Sequence, residues 1–152
     1  MILAQYFFPK IKQKLDELKA MKMLLFHDIV EIEAGDTFIL SSAHTKNQQE
    51  KEMKAFKSLK NKIPREISKE YEKLWIEYEE NKTNEAKFCQ AIDKLDPVVH
   101  SIFKKADWKI NKFTEKKLRD KKEKYFADFP EILDFFNKLI DYANKNDYFV
   151  RE

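Results

Sequence analysis

Apolar residues recur at spacings of three and four along most of this chain, the pattern of helices that bury one face. From about Ile11 to Ala34 they fall at Leu15, Leu18, Met21, Leu25, Ile29 and Ile32, which predicts one amphipathic helix with that stripe turned inward. Gly35 stands where the periodicity stops and suits a helix C-cap. Residues 36–46, with Asp36, Thr37, Ser41, Ser42 and Thr45, read as a loop. A charged helix is predicted from about Asn47 to Asn61, with Met53, Phe56 and Leu59 facing inward. Pro64 opens the next at an allowed first-turn position, and that helix runs to about Glu80 through Ile67, Tyr71, Leu74, Trp75 and Tyr78. After a turn, Thr83 or Asn84 caps a helix from about Glu85 to Lys94, with Pro97 expected to kink or break it. The pattern resumes through Val98, Ile102 and Phe103. A Lys-rich helix covers roughly Phe113 to Phe126, and Pro130 starts a last amphipathic helix through Ile132, Leu133, Phe136, Leu139, Ile140 and Tyr142. No segment reads as a strand, a repeat or a linker, so the expectation is a single all-α domain over residues 1–152.

The glycine count supports this reading. Gly35 is the single Gly, where average usage of ~7% implies on the order of ten. Helices avoid Gly, and the one position that keeps it is expected to need a positive φ. With 43% hydrophobic and 38% charged residues, the chain is globular rather than disordered. No apolar run reaches the ~20 residues that span a bilayer. The start MILAQYFFPK lacks the basic n-region and cleavage site of a signal peptide. The lone Cys89 excludes an intrachain disulfide and suits a reducing cytoplasm. The net charge of +3 is spread over mixed signs and says little about partners.

The segment with most chemistry is His27-Asp28-Ile29-Val30-Glu31, followed by Gly35-Asp36. On a helix Glu31 lies one turn from both His27 and Asp28, so the three ionisable groups share a side. Beside Phe26, Ile29 and Val30 such a cluster is costly unless satisfied, and a divalent cation satisfies an imidazole and carboxylates together. A sharp turn at Gly35 lets Asp36 return toward them. From spacing alone, ordinary hydrogen bonds and a helix cap account for the same residues. A second candidate is Asp93, at the edge of the stripe Phe88, Ile92, Leu95 and Val99 and one turn from Cys89. There a carboxylate can reach a site shared with another helix, and the plainer alternative is a surface Asp beside Lys94.

Taken together, HD(I/V)xExxxGD at His27–Asp36, Leu74-Trp75-Ile76-Glu77-Tyr78-Glu79, and Glu85-Ala86-Lys87-Phe88 leading to Asp93-Lys94-Leu95 and Pro97 resemble the HD-domain 5′-nucleotidase group. The resemblance is to the HD domain-containing protein 2 branch and its bacterial deoxynucleotidase relatives, and it runs from about Leu3 to the final helix. It implies a compact all-α HD-domain bundle of about six to seven helices around one divalent cation (Mn, Co, Mg, Zn or Fe). It implies His27, Asp28 and Asp93 as metal ligands, and Glu31 and Asp36 as acids serving the attacking water and the leaving group. The implied reaction removes phosphate from deoxynucleoside 5′-monophosphates, and the implied assembly is a homodimer.

One departure bears on activity. The group's first metal ligand is a His in an Arg-x-x-Glu-His-Ser segment, and nothing in these 152 residues matches it. Met1-Ile2-Leu3-Ala4 resembles later turns of the helix that carries that His, which puts the expected ligand upstream and leaves apolar surface around Ile2, Tyr6 and Phe7. His44, in a polar loop, and His100, two turns past Asp93, are the available substitutes; each reads more simply as a partly exposed histidine. The alternative to an enzyme is a catalytically impaired HD-domain protein acting as a structural or interaction module.

Lys104 to Lys124 holds ten basic and four acidic residues. The interleaved acids and the lack of an aromatic-basic face favour a solvated helix over a nucleic-acid footprint. Cys89 reads as a small buried residue rather than a nucleophile, and Trp75 and Trp108 as core or interface anchors.

Overall fold

The computed structural model of the protein describes residues 1–34 and 46–150, with the side chains of residues 31, 32 and 46–49 outside that description. Among the described residues there are eight α-helices: α1 Ile2–Phe7, α2 Glu17–Ala34, α3 Lys46–Lys60, α4 Arg65–Glu80, α5 Asn84–Ser101, α6 Lys105–Ile110, α7 Glu115–Lys122 and α8 Pro130–Lys145, with a 3-10 turn at Glu123–Tyr125. No strand occurs among them, so the fold is all-α as the periodicity predicts. No described helix is long and apolar enough to cross a membrane.

These residues fall into two compact units, Met1 with Leu15–Cys89, and Ile2–Lys14 with Gln90–Glu152. In the first, α2 packs on α3 and α4. Val30, Ala55, Phe56, Tyr71 and Trp75 form a core that Phe26, Ala34, Leu59 and Ile63 flank. Its rings are ordered: Phe56 stacks on Trp75 at 4.3 Å between centroids, and Phe26 meets Tyr71 edge-on at 5.0 Å.

In the second unit the buried side chains of α8 are Ile132, Phe136, Ile140 and Ala143, and Phe136 meets Phe126 at 4.9 Å. Trp108 is 1% exposed, donates its indole N–H to the Ser101 carbonyl at 2.8 Å, and contacts the rings of Phe113, Tyr148 and Phe149. It is the core anchor the sequence implied. Tyr6 and Phe7 of α1 both pack on Phe135 of α8.

Four expectations are corrected. Helix α2 begins at Glu17 rather than near Ile11. Asp16 caps it: its Oδ1 accepts the Lys19 N–H at 3.0 Å and its carbonyl accepts the Ala20 N–H at 2.9 Å. The inward face of α2 is not the expected stripe. Leu18 is 67% and Leu25 44% exposed, while Ala20, Met23, Leu24, His27 and Val30 are buried. Similar slips leave Met53, Ile67 and Tyr142 exposed, with Ala55, Tyr71 and Ala143 buried near them. The helix predicted to stop near Lys94 runs on to Ser101 with Pro97 inside it, so there is no break at the proline. A proline lacks an N–H and so gives nothing to the Asp93 carbonyl four residues earlier, yet the flanking turns carry the helix through. Phe7, expected at the surface, is 1% exposed because α8 covers it, whereas Ile2 and Tyr6 remain exposed.

Candidate functional site

The HD pair lies in the second half of α2, and the two residues differ sharply. His27 is 6% exposed and points into the first unit, whereas Asp28 is exposed. Both follow from the corrected face of α2, since positions 20, 23, 24, 27 and 30 form one stripe at helical spacing. The His27 imidazole stacks on the Tyr78 ring of α4, with centroids 4.1 Å apart and planes inclined by 25°. Tyr78 belongs to the Leu74–Glu79 motif, so that motif supplies the wall for the HD histidine. Glu31 is in α2, but its side chain lies outside the described residues, as do Gly35, Asp36 and His44 altogether.

Two acids of the remaining motifs hold the start of α2 in place. Glu77 Oε1 accepts from Lys19 Nζ at 2.5 Å and from Thr83 Oγ1 at 2.6 Å. Burial alone would raise the Glu77 carboxyl, but the hydrogen bonds from Lys19 and Thr83 and the charges of Lys19 and Lys73 outweigh it and hold it below the usual range. Lys19 answers in kind: burial lowers it, and Glu77, Glu85 and Asp16 together raise it above the ordinary value. Glu85 Oε1 accepts the Asp16 N–H at 3.0 Å, directly before α2 begins. Thr83 accepts the Ala86 N–H at 3.2 Å and is the cap of α5 that the sequence offered as one of two. Glu77 and Glu85 are therefore positioning residues for the HD helix.

Asp93 is in the second unit, in the middle of α5, at the edge of the buried stripe Ile92, Leu95 and Val98. Its side chain is 19% exposed, and Oδ2 accepts from Lys94 Nζ at 2.6 Å. Lys122, at the end of α7, is unremarkable in sequence, within a tract that reads as solvated. It is 6% exposed, on the same face as buried Leu118. Burial first, and then the charge of Lys94, push its ammonium down to about 8, against the pull of Asp93. The i, i+4 spacing from Leu118 was the available signal, hidden by nine other basic residues nearby.

His100 is 75% exposed at its side chain and pairs with Asp96 at 3.4 Å one turn earlier. Cys89 is buried and donates its Sγ–H to the Ala20 carbonyl at 3.3 Å, in keeping with a structural role. Imidazole and carboxylate donors suit a first-row divalent cation. Among the described residues, however, no three His, Cys, Asp or Glu side chains gather closely enough to hold one.

The HD domain family model matches residues 1–133. The chain belongs to the HD domain family. The 5′-deoxynucleotidase HDDC2 of Dictyostelium discoideum is 32% identical to this HD domain over 89 residues, which cover 59% of the chain and 47% of that protein. The human 5′-deoxynucleotidase HDDC2 is 26% identical over 88 residues, covering 58% of the chain and 43% of its own length. The match thus spans less than half of each of these two curated relatives. A crystal structure described as a predicted metal-dependent phosphohydrolase, from Magnetospirillum magnetotacticum, superposes with a TM-score of 0.85 at 31% identity over 99% of this HD domain and 76% of that chain.

Proposed function

We propose that this HD domain is a metal-dependent phosphohydrolase that converts (deoxy)nucleoside 5′-monophosphates to nucleoside and phosphate. The observation that carries the reading is the superposition on the metal-dependent phosphohydrolase fold over 99% of the chain at 31% identity. The nucleotide substrate rests on the 5′-deoxynucleotidase relatives. In this reading His27, Asp28 and Asp93 hold a divalent cation, Mn, Co, Mg, Zn or Fe. Such an ion lowers the pKa of a water and offsets charge on the phosphate when bound. Glu31 would be the acid/base or water-orienting group, and Asp36 the second acid. Tyr78 keeps the His27 ring in one plane, and the Lys19–Glu77–Glu85 network keeps α2 in register beneath it. A homodimer through the exposed Ile2 and Tyr6 of α1, in a cytoplasmic protein, completes the proposal.

A second reading, an interaction module without turnover, draws on two observations. Nothing in the 152 residues matches the Arg-x-x-Glu-His-Ser ligand segment, and no three donors gather among the described residues. Phosphate release from deoxynucleoside monophosphates with Mn, Co or Mg separates the two. It is to be measured on this chain and on one extended by a helix bearing Glu-His-Ser. Weak turnover by the 152-residue chain, raised by the extension and abolished by Asp93→Ala, is the expected result. No turnover from either form favours the module.

A further inference from the structure

Two large apolar side chains of the second unit project into solvent from one short helix. Phe103 is 83% exposed and Ile110 73%, and among the described large apolar side chains only Ile2 is more open than Phe103. They stand at the two ends of α6, which has six residues and is about 9 Å long. Phe103 comes just ahead of its cap Lys104, and Ile110 is its last residue. Trp108 sets the orientation of the helix. It is buried, while Ala106 and Ile110, one turn apart, lie on the opposite side and are exposed.

The backbone that carries these side chains is tied to the unit's core. Trp108 donates to the Ser101 carbonyl at 2.8 Å, and the Tyr148 hydroxyl donates to the Ile102 carbonyl at 2.9 Å, directly before Phe103. Past Ile110, the Phe113 N–H reaches the Trp108 carbonyl at 2.9 Å, and the Val150 N–H reaches the Phe113 carbonyl at 2.8 Å. Phe103 and Ile110 are therefore held out on a fixed mount rather than on a frayed end.

The charge beside them is one-sided. Residues 103–112 contain Lys104, Lys105, Lys109 and Lys112, all exposed, against the single acid Asp107. Four lysines less one acid give this segment +3, the net charge of the whole chain, so the rest of the chain balances to zero. Asp147 pairs with Lys109 at 2.8 Å, but both are exposed, and such a pair competes weakly with another anion. Projecting apolar tips among lysines suit an anionic lipid surface. A headgroup layer closes around a side chain that stands this far out, whereas a protein partner must carry a pocket shaped for it. Lysines near such a surface are drawn to its negative potential. An aliphatic Ile110 offers no ring for a base to stack on, which disfavours a nucleic acid.

We propose that α6 and its flanks form a membrane-contact edge that binds anionic lipid surfaces. Phe103 and Ile110 enter the headgroup layer, and Lys104, Lys105, Lys109 and Lys112 face the lipid anions. The contact is peripheral and reversible, and it is independent of the phosphohydrolase reading.

Cosedimentation of the whole chain with vesicles is the test. Vesicles of phosphatidylcholine with about 30% phosphatidylserine should bind it at low salt and release it as salt rises, and phosphatidylcholine alone should bind little. Phe103→Ser with Ile110→Ser should weaken binding about tenfold or more. Lys104→Ala with Lys112→Ala should weaken it roughly tenfold. All four side chains are exposed, so thermal melts of both variants should match the wild type. Phe103→Trp reads insertion directly: its emission should move to the blue and be quenched by brominated lipid, while Trp75 and Trp108, 5% and 1% exposed, stay unquenched. A chain that ignores anionic vesicles overturns the proposal, as does binding that Phe103→Ser with Ile110→Ser leaves unchanged. Sedimentation equilibrium addresses a rival occupant. A wild-type dimer that this double variant dissolves would place a second copy on the face and overturn the lipid assignment. Tighter binding to an RNA oligonucleotide than to the vesicles, lost in the lysine variant, would overturn it too.

Discussion

The imidazole of His27 lies face to face on the phenol ring of Tyr78, centroids 4.1 Å apart. The two residues come from different motifs, the HD pair of α2 and the Leu74–Glu79 stretch of α4, and both are buried. The stack limits the planes the imidazole can occupy, which is what a ligand with a fixed direction requires. Removing the ring by Tyr78→Ala should cost about 3 kcal/mol of stability, the usual loss for a large buried aromatic. Urea denaturation checks the cost. The ring-proton resonances of His27 should move as well, since they lose an aromatic neighbour; an unmoved His27 spectrum would disprove the stack.

Acid should loosen the start of α2. The Glu77 carboxyl lies below its unfolded value of 4.5, because Lys19 and Thr83 outweigh the cost of burial. A depressed carboxylate stabilises the fold above the unfolded value, and that contribution is lost as pH falls through the lower folded value. The effect is modest, since the pair is partly solvated. Thermal melts of wild type and Glu77→Gln should therefore differ above pH 4.5 and converge as the pH drops well below it. Curves that stay parallel throughout would show that the Lys19–Glu77 pair contributes nothing.

Tyr71 predicts a change at the other end of the scale. Its hydroxyl is buried in the first unit's core with no hydrogen-bond partner among the described residues, and burial pushes it up to about 12. Tyr71→Phe should raise stability by about 1 kcal/mol, the cost of one unsatisfied buried hydroxyl. The unfolded chain ionises this tyrosine near 10 and the folded one near 12, so wild-type stability declines between those values as the unfolded state sheds the proton first. Denaturant midpoints measured from about pH 9 to 12 should fall less steeply in Tyr71→Phe. A destabilised Phe variant would mean the hydroxyl is satisfied after all.

Pro97 offers a test of α5. An alanine there supplies the N–H that proline withholds from the Asp93 carbonyl and removes a ring from the helix interior. Pro97→Ala should gain about 1 kcal/mol, less than the ~3 kcal/mol propensity gap because the unfolded chain also gains freedom. The reading is the urea midpoint, and a loss of stability would indicate that α5 depends on the proline.

What is local in this protein was legible in the order of its residues. Spacings of three and four define the helices, Thr83 caps α5, and Asn81 takes the left-handed conformation, with φ 51°, that ends α4. The HD, Leu74–Glu79 and Glu85–Pro97 motifs place the chain in its family before any coordinates, because a family pattern is itself a string of residues. Which face of α2 turns inward was not legible there. That helix carries apolar residues on more than one side, so Leu18, Met21 and Leu25 compete with Ala20, Met23 and Leu24 on nearly equal terms. Only the surfaces of α3 and α4 settle the choice, and in settling it they bury His27 against Tyr78. Lys122 shows the same division: its charge belongs to the sequence, but its burial is a property of what packs around α7, which no spacing of lysines reveals.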